Sequence, residues 1–224
     1  MRNKLRTIIK SIILEVREEE YEKLGVLSAR TGLKTLRVFD FDDTLAKTNS
    51  RVAVTEFNKE TGEQLGDEYL ITPAEYATFK VDVAAKHPEI EYKFDYREFA
   101  EVKDPKVIEW TFDVLRKIVK KLRQSENIPA VILTARGQRA NQNIRNFLNT
   151  LDISIPVKTL DGSAPELKSE WIKQAMLTKD IPHVEFFDDS RLNVAAVDKL
   201  NTDLELIEQF GDDLRVRSRL VHAE

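Results

Sequence analysis

Cysteine is absent from the 224 residues. Disulfides and thiolate metal sites are therefore excluded, which fits a reducing compartment, and a cytoplasmic location is the expectation. Histidine is scarce: His87, His183 and His222 stand far apart, and none has the spacing of a zinc motif. No apolar run reaches the roughly 18 residues of a membrane span, so no membrane association is expected. Neither sign of charge prevails, with 35 Lys and Arg against 39 Asp and Glu and a net charge of -4. That balance gives no bulk attraction to nucleic acid or to an anionic membrane, although a local basic patch remains compatible with it. What is present is a globular composition, 33% charged and 42% hydrophobic, in a chain longer than one average domain and shorter than two.

Residues 4–24 read as an amphipathic helix, with Leu5, Ile8, Ile9, Ile12, Ile13 and Val16 on one stripe and Gly25 as its stop. The acidic stretch that follows, and the lack of a small-residue cleavage site, argue against a signal peptide. The stripe fits packing on the main domain, a homo-oligomer contact or docking to another protein. A short strand, Leu36 to Asp40, then ends in carboxylates. From Lys47 to Asp104 the texture changes. A hairpin is expected around Val52–Phe57 and the turn cluster Asn58–Gly62, and Thr72-Pro73 marks a helix start. This stretch holds Phe57, Tyr69, Tyr76, Phe79, Tyr92, Phe94, Tyr96 and Phe99, which suit a small core of their own.

Alternation is regular afterwards. Helix is expected over 104–123, 138–151, 164–178 and 192–210 (broken near Asn201), and strand over 129–133, 155–160, 184–187 and 214–221. Apolar strands alternating with helices predict an α/β fold: a Rossmann-like, doubly wound parallel sheet with helices on both faces and a small α+β insertion. The expected division is 1–35 as N-terminal helix and lead-in, 36–46 with 105–224 as the core domain, and 47–104 as a cap insertion.

Ligands of such sheets bind at the carboxyl ends of the strands. The first strand there ends in Asp40-Phe41-Asp42-Asp43-Thr44, the second in Thr134-Ala135-Arg136-Gly137 and the fourth in Asp188-Asp189-Ser190. Lys168 falls in the first turn of the helix between the third and fourth strands. Four acids, a hydroxyl and a lysine thus converge on one rim. Two adjacent carboxylates on such a rim repel unless a cation accompanies them.

In this order the segments resemble the four motifs of the haloacid dehalogenase superfamily. Asp-x-Asp-x-Thr at Asp40, Asp42 and Thr44 matches the first, Thr134 the second, Lys168 (with Lys158 as rival) the third, and Asp188-Asp189 the fourth. The resemblance covers about residues 36–200. It implies a magnesium-dependent phosphatase acting on a phosphate monoester through an aspartyl-phosphate. Asp40 would be the nucleophile and Asp42 the general acid and base. Asp40, Asp188, Asp189 and the Asp42 carbonyl would hold the metal. Thr134 and Thr44 would contact the phosphate, and Lys168 would neutralise charge. The second Asp of the first motif argues against a dehalogenase, Thr44 against a phosphomutase, and Phe41 against a pumping ATPase.

Arginines at the places of Arg136 and Arg191 also occur in polynucleotide 3′-phosphatase domains, and the guanidinium fork suits a phosphate-bearing substrate. Nucleotides, nucleic-acid ends and sugar phosphates are all compatible substrates. Two other functions fit: a docking or structural protein on a retained hydrolase fold, and a phosphotransferase.

Overall fold

The structure is a computed structural model that describes residues 35–222 apart from 74, 77–78, 80–82 and 123–129. The helix expected over 4–24, with its docking role, lies outside the described residues. In chain order the strands are β1 (Thr35–Phe39), β2 (Ala46–Lys47), β3 (Val52–Asn58), β4 (Tyr69–Ile71), β5 (Ile90–Asp95), β6 (Lys106–Val107), β7 (Ala130–Thr134), β8 (Val157–Thr159), β9 (His183–Asp188) and β10 (Arg215–Leu220). The α-helices are α1 (Glu109–Leu122), α2 (Asn141–Thr150), α3 (Pro165–Lys179), α4 (Arg191–Asp198) and α5 (Leu204–Phe210).

Every residue of β1 and β7 is buried, as strands covered by helices on both faces are, and the one charge among them, Arg37, is paired with Glu185 at 2.8 Å. They sit inside one five-stranded parallel sheet of order β10-β9-β1-β7-β8. Alternation along each strand sends successive side chains to opposite faces. Leu36, Val38, Val131, Leu133, Val184 and Phe186 meet Ile172, Met176, Val197 and Leu206 of α3, α4 and α5. Phe39, Ile132, Val157 and Phe187 meet Phe112, Leu115, Ile144 and Leu148 of α1 and α2. The doubly wound α/β class is therefore the observed one. The chain steps from β1 outward to β8, then returns to the other side of β1 with β9 and β10. That reversal puts the ligand crevice beside the carboxyl end of β1.

Two expected elements are shorter than the sequence pattern suggests. The helix expected from Asp104 begins at Glu109, because Asp104 takes a left-handed φ of 42° and Lys106–Val107 pair antiparallel with Ala46–Lys47. The 192–210 helix breaks near Asn201, as expected, into α4 and α5, and the Asp203 carboxylate caps the second piece through Glu205 N and Leu206 N. The strand expected over 155–160 shortens to Val157–Thr159.

The segment between β2 and β6 builds a separate antiparallel sheet, β4-β3-β5. The Asn58 side chain organises its first turn by accepting from Glu60 N and Thr61 N. Thr72 and Glu75 form a reciprocal capping box. Several of the aromatics form that segment's own core: Phe79 packs with Val52, Val54 and Ile71, and against Tyr92 and Phe94 edge to face, while Tyr69 and Tyr96 stay exposed. Among the described residues, no helix is long and apolar enough to cross a membrane.

Candidate active site

The parallel register pairs Phe39 with Phe187, and Asp40 N extends the ladder by donating to Phe187 O at 2.9 Å. The residues that follow, Asp40 and Asp188, therefore leave the sheet side by side. Val221 N donates to Asp188 O at 2.9 Å from the strand beyond. Carboxylate oxygens of Asp40, Asp188 and Asp189 all lie within 4.8 Å of one another.

Lys168 reaches this cluster from the first turn of α3, a helix that opens with Pro165 at its N-terminus. Its Nζ is 2.7 Å from Asp40 Oδ1 and 2.7 Å from Asp188 Oδ2. The ammonium is almost fully buried, whereas Lys158 is exposed on β8, so burial separates the two lysines that spacing left open. Asp188 is held further by Ser190 N at 2.8 Å and by Asn193 Nδ2 at 2.9 and 3.1 Å. Asn193 was not anticipated from sequence. Its signal was its place three residues after Ser190, whose hydroxyl accepts from Asn193 N to cap α4, which turns the amide back toward the strand end.

The chain after β1 folds into a tight loop. Phe41 O accepts from both Leu45 N and Ala46 N, and Asp43 takes a left-handed φ of 53°. Thr44 is buried, its hydroxyl directed at Asp189 Oδ1 at 3.4 Å and its carbonyl accepting from Thr111. Expected at the phosphate, Thr44 here joins the β1 loop to the β9 end.

Asp42 turns toward Arg136 rather than into the three-carboxylate cluster. Arg136 Nε donates to Asp42 Oδ2 at 2.8 Å and Nη2 to Oδ1 at 2.7 Å, and Thr48 Oγ1 donates to the same Oδ1 at 3.1 Å. Arg136 is 3% exposed, so the residue expected at the substrate is here committed to protein partners. Its backbone N–H donates to the buried Thr134 hydroxyl at 3.2 Å. Gly137 follows because a Cβ there would stand 2.7 Å from Asp161 Oδ1, where the β7 and β8 loops meet. Arg191, at the start of α4, is exposed.

The charges explain one another. Burial pushes the Asp40 carboxyl well above the carboxylate range, Asp188 and Asp189 add to this, and Lys168 opposes it. Asp189 is raised to about 6, first by partial burial and then by Asp188 and Asp43. Burial works against the Lys168 ammonium, yet Asp40 and Asp188 outweigh it and hold its pKa above the ordinary range. One buried ammonium thus leaves the carboxylates under-neutralised. Hard oxygen donors with residual negative charge are the donor set of a hydrated divalent cation such as magnesium.

No protein-family model and no curated protein matches the chain. Among solved structures, it is similar to a hydrolase of the haloacid dehalogenase-like family from Streptococcus pneumoniae. That pair shares 15% identity and a TM-score of 0.43, over 83% of this chain and 94% of the other. It is also similar to a haloacid dehalogenase-superfamily hydrolase from Ehrlichia chaffeensis, with 12% identity and a TM-score of 0.37, over 81% and 89% of the two chains.

Proposed function

We propose that the chain is a magnesium-dependent phosphatase of the haloacid dehalogenase type, hydrolysing a phosphate monoester by way of a phosphorylated Asp40. The observation that carries this reading is Lys168 bridging Asp40 and Asp188 at 2.7 Å each, with the Asp189 carboxylate in the same cluster, on the rim where parallel sheets bind ligands. Solvated surface acids do not bury a lysine between them.

Asp40, at the strand end, attacks phosphorus and forms an aspartyl-phosphate, an acyl phosphate, as the bond to the leaving oxygen breaks. Asp42, which accepts through both oxygens in this arrangement, would take up a proton and give it to that oxygen, then take one from the water that attacks the intermediate, so that Asp40 is regenerated and inorganic phosphate is released. The Thr134 hydroxyl accepts from Arg136 N, which leaves its own hydrogen to donate to a phosphoryl oxygen. Lys168 offsets the charge that gathers on the equatorial oxygens. Asp40, Asp188 and Asp189 side chains and the Asp42 carbonyl would hold the magnesium, which when bound reduces the repulsion between Asp40 and the incoming phosphate. The insertion between β2 and β6 would serve as a cap over the substrate.

The test is release of inorganic phosphate and alcohol from a generic aryl phosphate, with and without magnesium, by the wild type and by Asp40→Asn. Equal release of both products, dependent on magnesium and lost in a folded Asp40→Asn protein, is expected. Turnover in that variant near the wild-type rate would remove Asp40 from the mechanism. Alcohol release without phosphate would make the activity a transfer to another acceptor.

A further inference from the structure

Arg136 gathers partners that lie 35 to 94 residues from it in sequence. Its Nε and Nη2 grip both carboxylate oxygens of Asp42. Its Nη1 donates to the carbonyls of Phe99, at 3.0 Å, and Glu101, which belong to the arm of the insertion that returns to the core. Its Nη2 also reaches Thr48 Oγ1 at 3.0 Å and Ser50 Oγ at 3.3 Å, on the outgoing arm. The two arms are tied together there: the Ser50 hydroxyl donates to Glu101 O at 3.2 Å, and Asn49 N donates to Lys103 O at 2.9 Å.

A guanidinium has five N–H donors in a fixed plane, and here every nitrogen is engaged. The guanidinium carbon also lies over two aromatic rings, 4.9 Å from the centroid of Phe99 and 5.5 Å from that of Phe41. No donor is left over for a substrate. A lysine could not replace this arrangement, because a single ammonium cannot address a bidentate carboxylate and two carbonyls in one plane.

We propose that Arg136 is a positioning residue that couples the placement of Asp42 to the placement of both arms of the insertion. Motion of the insertion is then felt at the Asp42 carboxylate, and changes at Asp42 are felt in the arms, since such coupling is reciprocal. The assignment of Asp42 as the group that serves the leaving oxygen rests on the phosphatase reading; the mechanical link does not.

Two experiments separate these claims. Hydrogen exchange at the amides of Asn49, Phe99 and Glu101 reads the link without any turnover. Asp42→Asn places an amide donor against the guanidinium, and Arg136→Met removes the fork at similar length. Each is expected to speed exchange at those amides by at least about fivefold, the lower end of typical couplings between sites. Unchanged exchange in a folded Asp42→Asn protein would overturn the proposal, and this arm stands even if Arg136→Met does not fold.

The second experiment compares 2,4-dinitrophenyl phosphate, whose leaving group needs no proton, with an alkyl phosphate, whose leaving group does. In Arg136→Met, kcat for the alkyl ester should fall by about 100-fold, the lower range of general acid catalysis, while the dinitrophenyl ester and both KM values change little. Arg136→Lys should shift the same ratio less. A rise in both KM values with the ratio unchanged would make Arg136 a substrate contact, and an equal fall in both kcat values would make it general support. Either overturns positioning. A wild-type protein inactive on both esters would defeat the phosphatase reading, and exchange alone would then decide the link.

Discussion

Phe39 and Phe187 stack face to face, their ring centroids 4.5 Å apart and their planes 4° from parallel. They are register partners on neighbouring parallel strands, and each is followed at once by an acid of the site. The pair therefore sets the spacing of Asp40 and Asp188 from below. Phe187→Ala should cost about 3–5 kcal/mol of stability, as aromatic truncations in cores do, read from denaturant midpoints. Phe187→Leu should cost less but still weaken magnesium binding. Normal binding and turnover in a folded Phe187→Leu protein would show that the backbone ladder alone sets the spacing.

Lys168 is the one cation that contacts both buried acids among the described residues. Lys168→Met would leave Asp40 and Asp188 facing each other in the interior without a counterion. Breaking a buried pair from one side typically costs about 3–5 kcal/mol. Thermal or urea unfolding should show a loss of that order, reduced when magnesium is added, together with loss of turnover. A variant as stable as the wild type without metal would mean that solvent already screens the cluster.

Magnesium should stabilise the folded chain, because the under-neutralised carboxylates exist only there. At about 100 times its dissociation constant the gain is about 2.7 kcal/mol, measurable as a rise in the unfolding midpoint. Asp188→Asn should abolish the rise, and Asp189→Asn should shift it to higher magnesium concentration. An unfolding midpoint indifferent to magnesium in the wild type would argue against a cation at this rim.

His183 opens β9 as the register partner of Arg215. Burial lowers its pKa below the ordinary value, the Arg215 and Arg217 charges lower it further, and Asp213 works the other way. The unfolded chain takes up this proton near pH 6.5 and the folded chain only at lower pH. The unfolded state therefore binds more protons in that window, and the stabilising contribution, complete above about pH 6.5, is lost as the pH falls. His183→Gln should remove this loss. Urea midpoints of variant and wild type, compared at pH 7.5 and 5.5, should differ in the variant's favour at the lower pH relative to the higher. The raised carboxyls of Asp40 and Asp189 act in the opposite sense but are common to both proteins. A difference that does not change between the two pH values would mean that His183 titrates alike in both states.

The sheet was legible because burial on both faces writes itself as apolar runs, such as Val131-Ile132-Leu133 and Phe186-Phe187. Asp40, Asp188 and Lys168 were legible because the rim of a parallel sheet is a topological consequence of those runs. The partners of Arg136 were not. Its fork closes on carbonyls of Phe99 and Glu101, and backbone acceptors carry no residue-type signal. Asn193 was hidden for a related reason: a polar residue in the first turn of a helix reads as solvated until the cap geometry turns it inward. The 104–108 segment was misread because a left-handed Asp104 and two paired residues are too short to oppose an adjacent helical pattern.

The last prediction concerns the insertion, expected over 47–104. Its outgoing and returning arms are antiparallel neighbours, with Ala46 opposite Val107 and Lys47 opposite Lys106, so a short turn can join Lys47 to Lys106 without straining either end. The insertion keeps its own core around Phe79, and the groups assigned to bond-making lie outside it. Replacing 48–105 with such a turn should therefore leave hydrolysis of an activated aryl phosphate measurable. Arg136 would keep Asp42 but lose Thr48, Ser50 and the Phe99 and Glu101 carbonyls that hold it from the arms, so the deletion should show the same bias against alkyl esters as Arg136→Met, to a smaller extent. It should add a rise in KM for the best substrate, because the covering surface is gone. If aryl and alkyl esters lost turnover equally in a folded deletion protein, the insertion would be supplying a group to the chemistry itself.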